Sequence, residues 1–314
     1  MFDRQSIPQS ACESHWVAPD GTAIRRLDWA EPDKELTRGS LLFMPGRGDF
    51  YEKYLESFEH WREQGWQVTA ADWRGQAGSG RLGRDSVTGH VDDFAVWVAD
   101  LAAFWRDWAR GQSGPLVLVG HSMGGHLVLR AVAERRLDPA PDALILIAPM
   151  IDVVPERVPL VLRKLLASGR CRTGDTRRPA WKWSERPREV PVLRQRLLTH
   201  DDARYADELW WRKARPDLAM GPGSWGWVRA ALASVGVLRR PGLLESIEIP
   251  VHISATRVDR LVGIRAIARA AARLPDAEVR WFGAEAAHEI LREVDPVRQQ
   301  ALASIDAFLE RVAP

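Results

Sequence analysis

Short, almost wholly apolar runs recur along this chain and alternate with segments of helical spacing. The clearest runs are LVLVG at 116–120 and ALILIA at 143–148, with others at 40–44, 66–71, 251–254 and 279–282. Runs without polar residues suit the central strands of a parallel sheet, because helices cover both faces of such a sheet. Apolar residues three and four positions apart indicate helices at 50–64, 91–108, 123–134, 263–273 and 296–312. The alternation predicts an α/β fold built on a mostly parallel sheet.

This alternation stops between residues 151 and 245, where helical patterns continue without a convincing strand. The segment holds 19 Lys and Arg residues against 11 Asp and Glu residues, whereas the whole chain has a formal net charge of only +2. It also contains six of the fifteen tryptophans, namely Trp181, Trp183, Trp210, Trp211, Trp225 and Trp227. We therefore predict a helical cap at 151–245, inserted into a core formed by 1–150 and 246–314. Within the cap, residues 170–190 are expected to form an irregular basic stretch.

Composition and charge argue against several classes of protein. Hydrophobic residues make up 46% of the 314 residues, which is enough for a large core and argues against a disordered chain. A net charge of +2 gives no overall attraction to nucleic acid. The first residues do not resemble a secretory signal, and no apolar stretch reaches the roughly 18 residues of a spanning helix. Cys12 and Cys171 are expected to be unpaired thiols. The protein is expected in the cytoplasm, either free or in peripheral contact with a membrane.

The sequence Gly120-His121-Ser122-Met123-Gly124 matches the G-x-S-x-G pattern, directly after the strand LVLVG and directly before a helix. In that setting a serine sits on a sharp turn that lifts its hydroxyl above the sheet, and glycines are needed where a side chain would collide with backbone. The helix N-terminus that follows favours developing negative charge. The five-residue pattern alone is common. Its place between strand and helix predicts Ser122 as a nucleophile rather than part of a plain glycine-rich turn.

A serine hydroxyl needs a base to take its proton, and in this type of fold the acid and then the histidine follow the serine along the chain. Asp259 lies just after the strand at 251–254, where parallel sheets place functional groups. His288 lies between the strand at 279–282 and the terminal helix. We predict His288 as the general base and Asp259 as the acid that fixes its tautomer, with Asp152 as the alternative acid.

Acyl transfer also needs backbone N–H groups directed at the oxygen that gains negative charge. One is expected from Met123, the residue after the nucleophile. The other is expected from Arg47 in the loop PGRGD at 45–49, where two glycines permit unusual backbone angles and close approach. Met123 and Arg47 are therefore the predicted oxyanion hole, and an ordinary strand–helix turn at 45–49 is the alternative.

Several segments of the chain resemble those of a known enzyme family. They are PGRGDFYEKY (45–54), DWRGQAGSGR (72–81), GHSMGG (120–125), RVDRLV (257–262) and AAHEILRE (286–293). In them the chain resembles the lysophospholipase and monoacylglycerol-lipase branch of the α/β hydrolases, grouped with the serine aminopeptidase-like hydrolases. PGR stands where monoacylglycerol lipases typically carry HG, and is closer to bacterial lysophospholipases. The resemblance implies two-step ester hydrolysis, in which Ser122 forms an acyl-enzyme and His288 then activates water, without a metal or organic cofactor.

The predicted cap bears on the substrate, because a hydrolase cap usually builds the acyl pocket and controls the access of water. Trp225 and Trp227, together with Trp210 and Trp211, are expected to contact an acyl chain, unless they only form cap core and surface. The positive charge of the cap can attract an anionic head group or a membrane surface, unless it is only a solvated face. Together these features favour a lipid-like carboxylic ester, such as a lysophospholipid or a monoacylglycerol.

Two other functions stay open on the sequence. A hydrolase of small esters or amides, or a peptidase, would use the same machinery, although a basic cap argues against the acidic amine-binding site of an aminopeptidase. A non-catalytic ligand-binding protein on a hydrolase scaffold would be natural if one member of the triad were missing. Ser122, Asp259 and His288 are all present in the expected order.

Overall fold

The computed structural model describes residues 2–30, 37–182 and 192–313. Within these ranges one sheet of eight strands forms the centre of the protein. The strands are β1 Cys12–Val17, β2 Ala23–Trp29, β3 Gly39–Met44, β4 Trp66–Ala71, β5 Leu116–His121, β6 Ala143–Ile147, β7 Val251–Thr256 and β8 Ala277–Phe282. Their order is β1-β2-β4-β3-β5-β6-β7-β8, with β1, β2 and β4 paired antiparallel and every other pair parallel. The predicted mostly parallel sheet is confirmed.

The apolar-run pattern does not predict the N-terminal hairpin of β1 and β2. The strand β2 reads AIRRLDW, in which charged residues interrupt the apolar ones. Arg25 is nevertheless buried, because its guanidinium is paired with Glu52 at 2.6 Å and with Asp72 at 2.7 Å. A search for wholly apolar runs does not find such a strand, because the burial of its charged side chain depends on partners that are distant in sequence.

The predicted core helices are found close to their expected bounds. The helices of the described residues are α1 Leu55–Glu63, α2 Phe94–Ala109, α3 Met123–Ala133, α4 Leu160–Arg172, α5 Val192–Leu198, α6 Asp202–Ala214, α7 Trp225–Leu238, α8 Ile264–Ala271 and α9 Asp295–Val312. Short 3-10 turns lie at Tyr51–Tyr54, Pro216–Leu218 and Ile290–Arg292. The helix expected from residue 91 begins only at Phe94, because the Asp93 side chain caps it by accepting from the N–H of Ala95 at 2.9 Å.

Alternate residues of the central strands belong to two separate cores on the two faces of the sheet. Leu42 and Leu118 face a core that contains α2, α3 and α8. Phe43 and Val119 face the opposite core, formed with α1 and α9. Successive side chains of a strand point to opposite faces, so both faces must be apolar when helices cover both. This explains the uninterrupted apolar runs and fixes the carboxyl ends of the strands at one edge.

Between β6 and β7 the described residues form α4 to α7 and no strand. The helix α7 lies against the core through Trp227, whose ring is 5.9 Å from that of Phe94. The irregular stretch expected at 170–190 is partly wrong, because α4 continues to Arg172. Residues 183–190, including Trp183, lie outside the described residues. Cys171 on α4 and Cys12 on β1 are free thiols.

Candidate active site

Ser122 occupies the turn between β5 and α3 in a strained backbone conformation. Its φ of 52° and ψ of −115° lie in a region that non-glycine residues rarely adopt and that costs about 1–3 kcal/mol. Neighbouring backbone holds it there. The N–H of Ser122 donates to the carbonyl of Ile147 at 2.9 Å, and its own carbonyl accepts from Met150 at 2.9 Å and His126 at 3.1 Å. The turn therefore presents the hydroxyl at the carboxyl edge of the sheet.

Two glycines let the loop after β3 pack directly on this turn. A Cβ at Gly124 would collide with the carbonyl oxygens of Met44 and Pro45. A Cβ at Gly46 would lie only 3.1 Å from the Cβ of Ser122. Both positions therefore favour glycine, because a side chain at Gly124 would meet backbone and one at Gly46 would crowd the side chains of His121 and Ser122.

Ser122, His288 and Asp259 form one hydrogen-bonded chain, although they are far apart in sequence. The Ser122 hydroxyl lies 2.9 Å from Nε2 of His288, and Nδ1 of His288 lies 2.7 Å from Oδ2 of Asp259. A carboxylate can only accept, so the proton sits on Nδ1 and leaves Nε2 as the acceptor for the serine hydroxyl. The other oxygen of Asp259 accepts from the N–H groups of Leu261 at 2.8 Å and Val262 at 3.1 Å. These contacts fix the orientation of the carboxylate.

Charge around His288 favours its protonated form. Burial alone would lower the pKa of His288, but the facing carboxylates of Asp259, Glu289 and Asp49 raise it above the ordinary histidine value. Burial would likewise raise the pKa of Asp259, and the imidazole beside it holds that pKa below the usual range. The carboxylate therefore stays ionised, and the imidazole beside it can hold a proton.

Asp152, the alternative acid, makes a different set of contacts. Its carboxylate accepts two bonds from Arg163, each at 2.9 Å, and one from Arg239 at 2.5 Å. It also accepts from the N–H of Val153 at 2.8 Å. Both oxygens are thus committed to α4 and to the residue that follows α7. The structure contradicts the alternative, because Asp152 joins α4 and the residue after α7 to the end of β6, whereas Asp259 contacts His288.

The predicted oxyanion residues both belong to segments that contact Ser122: Met123 follows it directly, and Arg47 lies in the loop that packs on it through Gly46. Met123 begins α3, and the first N–H groups of a helix have no partner within the helix. In the loop after β3, the N–H of Gly46 donates to Asp49 at 3.2 Å and that of Gly48 to Gln76 at 2.7 Å, with Arg47 between them. These bonds hold the loop in a defined shape next to the serine.

The Arg47 side chain extends away from this loop towards the segment between β6 and β7. It donates to the carbonyl of Gly221 at 2.6 Å. Its guanidinium lies over the rings of Trp181 and Trp227, at 5.0 and 5.3 Å from their centres. The loop backbone at Arg47 therefore lies beside Ser122, whereas the Arg47 side chain lies among Trp181, Gly221 and Trp227.

A cavity of about 630 Å³ opens onto Ser122 and His288. Much of its wall is apolar and comes from the segment between β6 and β7 and from the loop after β7, through Met150, Val153, Val154, Leu166, Ala167, Leu232, Leu261 and Val262. Trp181, Trp225 and Trp227 also line it. A volume of this size is typical of a site for a small organic molecule.

Trp210 and Trp211 do not line this cavity, contrary to the expectation for them. Trp211 is buried in the core beneath α1 and α9, and its indole N–H donates to the carbonyl of Arg4 at 2.8 Å. Trp210 is 39% exposed on the other side of α6. Consecutive helical residues point about 100° apart, so the packing of α6 decides which side chains reach a site.

Sequence reasoning assigned no role to three charged residues that line the cavity. Asp49, Lys53 and Glu289 are buried and contact one another through Lys53. The available signal was charge within otherwise apolar helical spacing at 50–64, together with an acidic residue directly after His288. Among the described residues, no group of three or more His, Cys, Asp or Glu side chains is placed to hold a metal ion.

A mostly parallel sheet that presents a serine on a strained turn after its central strand is the arrangement of the α/β hydrolases. Solved structures agree with this class. A soluble variant of monoglyceride lipase from Saccharomyces cerevisiae superposes with a TM-score of 0.75 at 18% identity, covering 100% of this chain and 98% of that one. The monoacylglycerol lipase of Paleococcus ferrophilus gives a TM-score of 0.67 at 19% identity, covering 91% and 98%.

The sequence comparisons are more specific. The model of the serine aminopeptidase S33 family matches residues 35–295, and the chain belongs to this family. Lysophospholipase L2 of Escherichia coli strain K12 is 32% identical over 286 residues, which covers 86% of this chain and 80% of that protein. The probable lysophospholipase L2 of Haemophilus influenzae is 25% identical over 301 residues, covering 94% and 87%. The predicted resemblance is confirmed, and the chain is an ester hydrolase.

Proposed function

We propose that this protein hydrolyses a lipid-like carboxylic ester, with a lysophospholipid or a monoacylglycerol as substrate, through an acyl-enzyme on Ser122. The observation that carries the proposal is the hydrogen-bonded chain from Ser122 through His288 to Asp259 at the wall of a largely apolar cavity. The names of the relatives from Escherichia coli and Saccharomyces cerevisiae support the substrate class.

In the proposed mechanism His288 is the general base and Ser122 the nucleophile. Nε2 of His288 takes the hydroxyl proton as Oγ attacks the ester carbonyl, and the backbone N–H groups of Met123 and Arg47 stabilise the oxyanion. His288 then returns the proton to the leaving alcohol. Water attacks the acyl-enzyme by the same steps, with His288 again as base. Asp259 stays ionised throughout and stabilises the imidazolium.

The proposed cap comprises residues 151–245, inserted between core segments 1–150 and 246–314. In the described residues this segment supplies much of the apolar wall beside Ser122, including Leu166 and Trp227. An apolar wall stabilises an acyl chain by removing its methylenes from water. The cap therefore selects for the acyl part of the substrate.

A series of p-nitrophenyl esters tests the acyl preference. We expect kcat/KM to rise by at least about tenfold from acetate to octanoate, because each buried methylene contributes up to about 0.8 kcal/mol. Leu166→Asp, which puts a charge at the cavity wall, should remove most of this rise and leave acetate hydrolysis nearly unchanged. A sharp preference for acetate over the longer esters would overturn the lipid-like substrate and favour a small-ester hydrolase.

Two further functions are separated from this proposal by simple assays. A peptidase of the same family would release p-nitroaniline from aminoacyl anilides, whereas we expect hydrolysis of esters only. A non-catalytic ligand-binding homologue would bind lipid without turnover and would not react with a fluorophosphonate probe. The short Ser122–His288 distance of 2.9 Å favours a reactive serine over such a scaffold.

The helix α4 supports a finer proposal, that the cap docks on an anionic lipid surface. Its outer face carries apolar side chains that are more than half exposed, namely Val161, Leu162, Leu165 and Leu166. Leu166 also lines the cavity, so this face continues to the substrate site. Basic residues on the same helix, Lys164, Arg170 and Arg172, suit anionic head groups. No helix in the described part of the chain is long and apolar enough to cross a membrane.

Sedimentation with vesicles of phosphatidylglycerol and phosphatidylcholine tests this docking surface. The double variant Val161→Glu/Leu165→Glu should bind about tenfold less tightly or worse, because two apolar contacts are lost and two negative charges face the lipid. The control is Val17→Glu, since Val17 is 61% exposed on β1 and should leave binding unchanged. Hydrolysis of p-nitrophenyl butyrate in solution should be the same for the wild type, the double variant and Val17→Glu. Equal vesicle binding by the double variant would contradict the proposal.

A further inference from the structure

A single buried ammonium group joins three carboxylates from separate parts of the structure. Nζ of Lys53 lies 2.8 Å from Asp49, 3.1 Å from Glu208 and 2.5 Å from Glu289. The side chain of Lys53 is only 1% exposed, and the carboxylates are at most 5% exposed. Arg292 completes the cluster by pairing with Glu208 at 3.0 Å and also with Glu289. We call these five residues the Lys53 cluster.

One arm of the Lys53 cluster reaches the loop that carries Arg47. Oδ2 of Asp49 accepts from the N–H of Gly46 at 3.2 Å and from the hydroxyl of Tyr54 at 2.7 Å. It also lies 3.1 Å from Nδ1 of His121, the residue before the nucleophile. The position of Asp49 therefore helps to set the backbone of the proposed oxyanion loop.

The other two arms reach the proposed base and the cap. Glu289 directly follows His288, and the N–H of Glu289 donates to the carbonyl of Leu198 at the end of α5, at 2.7 Å. Glu208 lies on α6, fully buried.

Arg292 also pairs with Glu208 and Glu289, and Arg212 pairs with Glu208 at 2.7 Å, so these two carboxylates would keep a cation without the ammonium. Asp49 would lose the cation 2.8 Å from it, and the like charges of Asp49 and Glu289 would separate or take up a proton in this buried site.

The Lys53 cluster also controls the charge that His288 experiences. The groups that face His288 are Asp259 from the loop after β7, Asp49 from the loop after β3, and Glu289 on its own loop. The ring of His121 lies 5.0 Å from the ring of His288. Lys53 contacts Asp49 and Glu289 directly and so offsets two of the three carboxylates.

We propose that Lys53 is a positioning residue of the proposed hydrolysis, because its ammonium ties the oxyanion loop, the base loop and cap helix α6 into one unit and balances the carboxylates facing His288. Lys53 does not touch the reacting atoms. It acts through Asp49 and Glu289. Because Lys53 also binds Glu208 on α6, the position of the proposed base His288 depends on α6. The inference rests on the proposed roles of Ser122 and His288.

The test is the pH dependence of kcat/KM for p-nitrophenyl butyrate in three variants. The acidic limb of this pH profile reports the protonation of His288. Lys53→Met keeps the length of the side chain and removes its positive charge, so the pKa of His288 should rise and the limb should move to higher pH by about half a pH unit or more. Glu289→Gln removes a negative charge and should move the limb to lower pH. In the double variant Lys53→Met/Glu289→Gln the limb should return towards that of the wild type. We expect kcat of Lys53→Met to fall by about ten- to a hundred-fold, since small misplacements of catalytic groups cost that much.

The matched control is Arg74→Met, which removes another buried cation, paired with Asp20 and Asp100 away from the cavity. It should lower the Tm without moving the limb. An unmoved limb in Lys53→Met, or a double variant whose limb stays at the pH of the Lys53→Met limb, would overturn the inference. If Lys53→Met does not fold, the double variant compared with Glu289→Gln alone isolates the ammonium, and coincident limbs would overturn the inference equally.

The failure of this inference is distinct from failure of the proposed function. If Ser122→Ala abolishes the activity but the acidic limb does not move in Lys53→Met, only the proposed role of Lys53 is wrong. If Ser122→Ala keeps the esterase activity, the proposed catalytic residues are wrong and the pH profile no longer reports on His288.

Discussion

Replacing Ser122 with alanine is expected to lower kcat for p-nitrophenyl butyrate by on the order of a million-fold, with the fold retained. Alanine keeps the backbone of the turn but removes the hydroxyl oxygen that lies 2.9 Å from Nε2 of His288. Without it neither an acyl-enzyme nor a covalent fluorophosphonate adduct can form. Steady-state kinetics and intact-protein mass spectrometry after labelling give the two readouts.

The protein offers a matched control in Ser224. Its hydroxyl lies 2.7 Å from Nδ1 of His90, whose Nε2 lies 3.3 Å from Asp92, so these three residues also form a Ser-His-Asp grouping. Ser224 is fully buried, and its Oγ accepts from the N–H of Trp227 at 3.0 Å as the cap of α7. Ser224→Ala should keep labelling and activity while losing about 1 kcal/mol of stability. Loss of labelling in Ser224→Ala but not in Ser122→Ala would contradict the assignment.

The second large effect is expected from Asp259→Asn, which should lower kcat by about ten-thousand-fold. An amide in this place can present its N–H groups to Nδ1 of His288 and so favour the tautomer that carries its proton on Nε2. That imidazole cannot accept the proton of Ser122. The measurement is kcat at a pH well above the acidic limb, with labelling rate by a fluorophosphonate as a second readout.

Asp152→Asn is the control for Asp259→Asn, because the two residues were the candidates for the same role. It leaves Arg163 and Arg239 without a carboxylate, so we expect a clear loss of stability, measured as a lower Tm. Its kcat should stay within about tenfold of the wild type, since Asp152 does not contact His288. A large loss of kcat in Asp152→Asn with little loss in Asp259→Asn would reverse the assignment.

The difference between these two aspartates marks the limit of sequence reasoning for this site. Both follow a strand of the parallel sheet, at the edge where functional groups gather, and neither has a local pattern that distinguishes it. The choice depends on which side chains surround each carboxylate. Asp152 lies beside two guanidinium groups brought by α4 and by the end of α7, whereas Asp259 lies 2.7 Å from His288.

The tryptophans and the Lys53 cluster show the same limit of sequence reasoning. Trp225 and Trp227 line the cavity, but Trp210 and Trp211 do not, because the packing of α6 directs them elsewhere. Lys53 stands in an apolar helical pattern as an apparent surface charge, yet it is buried. Its partners are Asp49, Glu208 and Glu289, and two of these are more than 150 positions away along the chain.

The sequence by itself determined the mostly parallel sheet, the strand–helix setting of Ser122 and the place of His288 between the last strand and the terminal helix. These follow from period, glycine placement and strand–helix succession, which are properties of contiguous residues. Only the tertiary structure decided which aspartate meets His288, which tryptophans reach the cavity, and that a buried lysine joins the loop after β3, the loop that carries His288 and helix α6. Those outcomes depend on how helix faces pack and on ion pairs between distant segments, and no local pattern encodes them.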